Sequence, residues 1–135
     1  MVSQTARYAL NILGFLVRSG AARSRSGDIA KATGIPANYL SKILNQLRKQ
    51  GIVEGEKGWG GGFRIRPESL KRPIGEIVAI FEGTDSTMRK DCVFGLPECS
   101  SDSPCPRHPY WEGIRKLYRE MLSETTVADL AKKSV

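Results

Sequence analysis

A tight turn at Gly34 joins two short amphipathic helical patterns, and few folds accommodate that combination. Residues 28–33 are predicted to form one helix that ends at Gly34, and Ile35-Pro36 opens a second helix that ends at Gly51. The apolar stripe of the second helix consists of Tyr39, Leu40, Ile43, Leu44 and Leu47. Two helices joined by a short glycine-containing turn are typical of a helix-turn-helix.

A glycine-rich segment follows the second helix directly. Residues 52–54 and 63–65 are predicted to be short strands that flank the glycine-rich residues 55–62, so the pair forms a hairpin of the kind called a wing. A phosphate-binding loop is the alternative, but no Gly-Lys-Ser or Gly-Lys-Thr follows, and the glycines lead into a strand instead of a helix. The sequence therefore predicts a mainly α fold with a small β-hairpin wing.

Further helices are predicted on both sides of this unit. Gln4 to Arg18 has helical apolar spacing, with Ser3 as N-cap and Gly20 as stop, and a short helix runs from Ile74 to Phe81. A long helix covers residues 110–123, with a stripe wide enough to contact either a core or a partner helix. That stripe consists of Trp111, Ile114, Leu117, Tyr118, Met121 and Leu122.

The charge is divided unevenly along the chain. Residues 1–72 carry 13 Lys and Arg against 4 Asp and Glu, a net charge of +9, whereas residues 73–135 carry 8 against 10, a net charge of −2. A basic half favours a polyanionic partner, most commonly nucleic acid, although a solvated basic face without a partner is the alternative. No apolar run approaches the roughly 20 residues that a bilayer span needs, so we expect a cytoplasmic protein without membrane contact.

The three cysteines and the single histidine lie close together in a segment without helical or strand periodicity. Cys92, Cys99, Cys105 and His108 offer three thiolates and one imidazole, donors that suit both iron–sulfur clusters and zinc. Without an export signal, a structural disulfide network is not expected. The spacing alone favours neither metal, since Cys-Cys-Cys-His zinc fingers have similar spacing. A polar role at the start of the next helix is the alternative for His108.

The order of these motifs resembles the IscR/NsrR-type winged-helix transcription regulators of bacteria over nearly the whole chain. The resemblance is carried by Asp28-Ile29-Ala30, Gly34-Ile35, Tyr39-Leu40, Leu47-Arg48-Lys49, Gly51-Ile52-Val53, Gly58-Trp59-Gly60-Gly61-Gly62-Phe63, and then by the three cysteines and His108 before a long helix.

The resemblance implies a function and a domain organisation. It implies a homodimer that binds palindromic operator DNA, a winged helix-turn-helix domain over residues 1–83, a cluster-binding loop over residues 84–109, and a dimerisation helix with a C-terminal tail over residues 110–135. It also implies an iron–sulfur cluster on Cys92, Cys99, Cys105 and His108, with 2Fe–2S favoured and 4Fe–4S as the alternative. Such a cluster would report iron–sulfur status, redox state or nitric oxide.

The sequence departs from the family pattern at two places. Members with an acidic fourth ligand take it from the N-terminal helix of the partner chain, but the first acidic residue here is Asp28, and Arg7 and Tyr8 stand where that ligand is expected. The residue after Tyr39-Leu40 is often a glutamate that selects between operators, whereas this chain has Ser41. Operator preference therefore cannot be transferred from the family.

The start of the second helix of the helix-turn-helix is predicted to face the major groove, with Ala37, Asn38, Ser41 and Lys42 as contacts. Asn38 can pair with adenine, or it can cap the helix. Tyr39 can donate its hydroxyl to a phosphate, although aromatic residues at this spacing more often pack in a core.

The wing tip supplies further candidate contacts. Lys57 is predicted to lie in or beside the minor groove, and Trp59 to pack on the wing base or on sugars. Phosphate anchors are expected at Arg7, Arg25, Arg48 and Lys49.

Two other interpretations remain open at this point. One is a zinc-stabilised nucleic-acid-binding module, and the other is a metal-free thiol redox sensor. An enzyme is not expected, because the sequence has no catalytic pairing of Ser, His and Asp and no pair of carboxylates with a catalytic rationale.

Overall fold

The computed structural model describes residues 2–82 and 108–132 of the 135-residue chain. Its elements are, in chain order, α1 (Gln4–Ser19), α2 (Ser26–Thr33), α3 (Ala37–Lys49), β1 (Val53–Glu56), β2 (Gly62–Ile65), a 3-10 helix (Pro67–Lys71), α4 (Ile74–Glu82), α5 (His108–Glu124) and a last 3-10 helix (Val127–Lys132). The two strands form an antiparallel hairpin. This architecture confirms the predicted mainly α fold with a small wing.

The helix boundaries follow from local chemistry. The Ser3 hydroxyl accepts a hydrogen bond of 3.2 Å from the Ala6 amide, which confirms Ser3 as the N-cap of α1. Gly34 ends α2 in the left-handed conformation, with φ of 72°, and its amide donates to the Ala30 carbonyl at 2.8 Å. The predicted turn between α2 and α3 is therefore present.

The main core lies where α1 packs against the helix-turn-helix and the base of the wing. The side chains with the least exposure come from every one of these elements and include Ile12, Leu13, Leu16, Ile29, Leu40, Leu44, Leu47, Ile52 and Val53. α2, α3 and the hairpin all pack against α1, which thereby fixes their relative orientation.

The C-terminal segment forms a second, smaller buried cluster with α1 and α4. Leu122 of α5 is buried with Ala6, Ile74 and Val78. The segment after α5 also pairs with the segment before α4. The Val127 amide donates to the Arg72 carbonyl at 2.9 Å, and the Ile74 amide donates to the Thr125 carbonyl at 2.8 Å. These bonds fix the C-terminal end of α5 relative to α1 and α4.

Several predicted boundaries differ from the observed ones by a few residues. α2 begins at Ser26 instead of residue 28, and the strands extend toward the tip to Glu56 and from Gly62. α5 begins at His108 instead of residue 110. The earlier start is compatible with Pro109, because the first turn of a helix does not need the missing proline amide.

Candidate nucleic-acid interface

The N-terminal part of α3 presents one face to solvent. Ala37, Asn38, Tyr39, Ser41 and Lys42 are all exposed, whereas the opposite face of the helix is buried in the core. Tyr39 is 52% exposed and so does not belong to the core. The predicted major-groove residues thus share one accessible surface.

Asn38 does not act as a cap. Pro36 occupies the N-cap position of α3, and the cap makes no side-chain hydrogen bond. The Asn38 amide also bonds to no other side chain in the described part of the chain, so it is free to bind a ligand.

The wing is attached to the segment that precedes α2. The Ser24 amide donates to the Phe63 carbonyl at 2.8 Å and the Phe63 amide to the Ser24 carbonyl at 2.7 Å, which adds a bridge to the outer side of β2. The Arg25 guanidinium donates to the Gly58 carbonyl at 3.2 Å. Arg25, predicted as a phosphate anchor, thus also holds the wing tip, a contact that sequence spacing does not reveal.

The acidic side chains of the wing are paired with arginines. Glu54 lies opposite Arg64 in the strand register and accepts a hydrogen bond from it. Arg23 lies 3.6 Å from Glu54 and 3.3 Å from Glu56. The hydrogen bond from Arg64, with the nearby positive charges, lowers the pKa of Glu54. The pairing reduces the repulsion that these carboxylates would exert on a polyanion.

A cleft of about 510 Å³ separates α3 from the wing. Its polar lining comes from both sides and consists of Ser26, Ser41, Asn45, Arg48, Glu56 and Lys57. Arg48 donates to the Asn45 side-chain oxygen at 2.7 Å, which holds the guanidinium along the helix. Ser26 and Asn45 were not among the predicted contacts, although Asn45 lies one helical turn after Ser41 and could have been found from that spacing.

The long C-terminal helix carries a second exposed surface, which we call the α5 stripe. It consists of Tyr110, Ile114, Leu117 and Met121, which are 69%, 49%, 67% and 48% exposed. Their spacing of four, three and four residues places them on one side of the helix, as in a coiled-coil seam. Of the predicted stripe, Leu122 instead packs in the chain's own core.

The predicted ligands Cys92, Cys99 and Cys105 lie outside the described residues. His108 is the first residue of α5. The described residues contain no group of three or more His, Cys, Asp or Glu that could hold a metal ion. None of the helices in residues 2–82 and 108–132 combines the length and hydropathy needed to cross a bilayer.

Comparisons with known proteins identify relatives over almost the whole chain. The profile of the Rrf2 family, described as an iron-dependent transcriptional regulator, matches residues 2–133. A protein of Aquifex aeolicus named as an HTH-type transcriptional regulator is 33% identical over 130 residues, which cover 95% of this chain and 89% of the relative. The regulator IscR of Vibrio atlanticus is 29% identical over 106 residues, which cover 78% of this chain and 59% of IscR.

Solved structures share the fold. CymR, the global cysteine regulator of B. subtilis, superposes on this chain with a TM-score of 0.78 at 26% identity. The superposition covers 100% of this chain and 98% of CymR. IscR of T. potens superposes with a TM-score of 0.72 at 26% identity, covering 98% of this chain and 86% of IscR.

Proposed function

Because the chain belongs to the Rrf2 family of transcriptional regulators, we propose that it acts as a homodimer on palindromic operator DNA, with an iron–sulfur cluster that adjusts its binding. Its relatives are transcriptional regulators and not enzymes, so no catalytic activity is proposed for this chain. The observation that carries the DNA-binding part is the cleft between α3 and the wing, because it joins the exposed α3 face to Lys57 in one polar surface.

The proposed DNA contacts follow from the exposed groups. Ala37, Asn38, Ser41 and Lys42 enter the major groove, where the Asn38 amide can pair with adenine and Ala37 can contact a thymine methyl. Tyr39 donates its hydroxyl to a phosphate, and Lys57 reaches the minor groove from the wing.

The α5 stripe supports the proposed homodimer. Water-exposed apolar side chains at coiled-coil spacing are stabilised when they pack against the same side chains of a second copy. In the proposed dimer a two-fold axis relates the two α3 helices, and operator half-sites one helical turn apart require these helices to be about 34 Å apart. The palindromic operator follows from that symmetry.

The donor set fits an iron–sulfur cluster. Cys92, Cys99, Cys105 and His108 would hold it, and bound there it would supply a centre that responds to oxidants, nitric oxide or iron supply. Since His108 begins α5, ligation by this residue would restrain the start of the helix that carries the α5 stripe. We propose that this restraint sets the distance between the two α3 helices. A coupling of about 1–3 kcal/mol would change DNA affinity about 5- to 150-fold.

A metal-free thiol sensor is the second candidate. At the same identity of 26%, the chain superposes on CymR, a global cysteine regulator, with a higher TM-score than on IscR of T. potens, 0.78 against 0.72. In that case the cysteines respond to oxidants without iron, and operator binding depends on thiol oxidation alone.

The DNA-binding part is tested with duplexes that the full chain selects from a random-sequence library. Lys42→Ala should weaken DNA binding about three- to tenfold. It should also reduce the slope of log affinity against log salt concentration by about one, because one positive charge near the DNA is lost. Fluorescence anisotropy between 50 and about 200 mM salt measures both. The matched control is Lys71→Ala, an exposed lysine in the 3-10 helix Pro67–Lys71. Equal behaviour of the two variants would place the DNA elsewhere.

The cluster part is tested by an anaerobic absorption spectrum with iron, sulfide and zinc quantified on freshly purified protein. Visible charge-transfer bands with matching iron and sulfide are expected, and Cys99→Ala should lose them while Ser101→Ala, in the same segment, keeps them. Zinc without visible bands would establish the structural-metal alternative. Neither metal after anaerobic reconstitution, together with oxidant-dependent DNA binding, would establish the thiol sensor.

A further inference from the structure

Trp59 stands at the tip of the wing with its whole side chain in water. Its exposure is 101%, so no other described residue covers the indole. Large aromatic side chains are usually buried, and they gain most from removal of their apolar surface from water. Of the two alternatives predicted for Trp59, packing on the wing base is therefore wrong, whereas packing on the sugars of a nucleic acid stays a prediction. The indole is available to a ligand.

The backbone that carries Trp59 is held in place on both sides. The Gly61 amide donates to the Gly58 carbonyl at 3.0 Å, and Arg25 donates to the same carbonyl at 3.2 Å. A Cβ on Gly61 would lie 2.4 Å from the Glu56 carbonyl oxygen, so the turn is also packed tightly. The tip thus presents a free side chain on a defined backbone, an arrangement that limits the entropy lost on binding.

The neighbours of Trp59 favour DNA as its ligand. Lys57 lies two residues away and lines the cleft that leads to Ser41 and Asn45 on α3. A duplex whose major groove receives α3 therefore brings its backbone and the adjoining minor groove to the wing tip. The flanking glycines offer no side chain that would hold the indole away from the groove.

The chemistry of the indole matches one kind of minor groove. Tryptophan is flat and apolar with a single N–H donor and no acceptor. The minor groove is about 6 Å wide, and A·T pairs present only acceptors there, whereas a G·C pair adds the guanine 2-amino donor. That amino group obstructs an inserted ring. Because it is itself a donor, it also offers no acceptor to the indole N–H.

We propose that Trp59 enters the minor groove beside each half-site and makes the protein select base pairs that lack the guanine 2-amino group. This inference rests on the proposed DNA-binding function. It assigns to Trp59 the selection among base pairs in the minor groove, which Lys57 reaches from the same wing tip.

The test uses a duplex that the full wild-type chain selects from a random-sequence library. The base pairs flanking each half-site are replaced either by I·C or by G·C, which share a major groove and differ in the minor groove by the 2-amino group. The wild type should bind the I·C duplex about tenfold more tightly than the G·C duplex. Trp59→Ala should bind the I·C duplex about tenfold more weakly than the wild type and should bind both duplexes equally. Trp111→Phe, the matched tryptophan control, should keep the wild-type ratio.

The outcomes separate this inference from the function on which it rests. If the wild type selects no duplex, DNA binding itself is refuted. If the wild type binds but does not distinguish I·C from G·C, or if Trp59→Ala keeps the wild-type ratio, only the role of Trp59 is refuted.

A second measurement follows the indole directly. In a Trp111→Phe background Trp59 is the remaining tryptophan, since the chain has two. Its quenching by acrylamide should fall at least about threefold in the complex with the I·C duplex, because the groove shields the ring. Unchanged quenching in a saturated complex would overturn the proposal, whatever the affinities show.

Discussion

The exposed residues of α3 and the polar lining of the cleft up to Lys57 form one surface, which we call the α3–wing face. This face and the α5 stripe are both exposed, but they differ in chemistry. The α3–wing face carries amide, hydroxyl and cationic groups, and arginines neutralise the carboxylates beside it. The α5 stripe consists of four large side chains, three of them fully apolar. A polar, basic surface suits a polyanion, whereas an apolar helical seam suits another apolar seam. The difference therefore agrees with the two partners proposed above, DNA for the first surface and a second copy of the chain for the second.

A carboxylate in the middle of the α5 stripe gives the largest expected effect. Leu117→Asp places a charge where the proposed dimer buries an apolar side chain that is 67% exposed in the single chain. We expect a monomer by sedimentation at micromolar concentration and a loss of DNA affinity of about 100-fold or more, because one half-site contact replaces two. The fold should survive, since Leu117 lies outside the core.

The control for this variant introduces the same carboxylate beside the stripe. Lys116→Asp is exposed but off the stripe, and it should remain dimeric. A Leu117→Asp protein that is still dimeric would mean that the two copies meet elsewhere. The assignment of dimerisation to the α5 stripe would then be wrong.

A methyl group at the wing tip gives the next largest effect and acts on the other surface alone. Gly61→Ala puts a Cβ 2.4 Å from the Glu56 carbonyl oxygen and 2.8 Å from the Gly58 carbonyl oxygen, so the tip must rearrange. We expect DNA affinity to fall about tenfold while the dimer persists, because the wing no longer holds Lys57 and Trp59 in place. Anisotropy and sedimentation on the same sample measure the two effects.

The matched glycine variant is Gly27→Ala. Gly27 lies inside α2, and no neighbouring atom lies within 4 Å of the position that an added methyl group would take. Alanine should therefore stabilise that helix by about 0.5–1 kcal/mol. Equal losses of DNA affinity in both glycine variants would contradict the role given to the wing tip.

The α3–wing face was more predictable from the sequence than its supports. Helical periodicity and the glycines at 34, 58 and 60–62 located the helix-turn-helix and the hairpin, because those signals depend on neighbouring residues. The bridge between Ser24 and Phe63, and the bond from Arg25 to Gly58, join residues more than 30 positions apart. No local pattern encodes such contacts.

The α5 stripe was predicted less sharply for a related reason. Helical spacing identified the apolar residues of the long helix but not which of them the chain's own core would cover. Leu122 is buried with Ala6 and Val78, and Tyr110 is exposed. The choice depends on how α5 docks on α1 and α4, which is a tertiary property.

The smallest predicted effect concerns Asp129, whose side chain stabilises the start of the last 3-10 helix. Its carboxylate accepts a hydrogen bond of 2.9 Å from the Thr126 amide and lies 2.9 Å from the Lys132 ammonium. These contacts, the backbone hydrogen bond first, lower the pKa of Asp129 from 3.8 to about 2.

The lowered pKa of Asp129 makes the stability of the fold depend on pH. The ionised carboxylate stabilises the folded chain at pH values above the pKa that Asp129 has in the unfolded chain, and that stabilisation is lost as the pH falls toward about 2. Asp129→Ala should therefore lower Tm by a few degrees at pH 7, with a gap to the wild type that narrows between pH 4 and about 2. DNA affinity at pH 7 should change less than about twofold, because Asp129 touches neither the α3–wing face nor the α5 stripe. A larger loss would mean that the last 3-10 helix couples the two surfaces, and their separation would have to be abandoned.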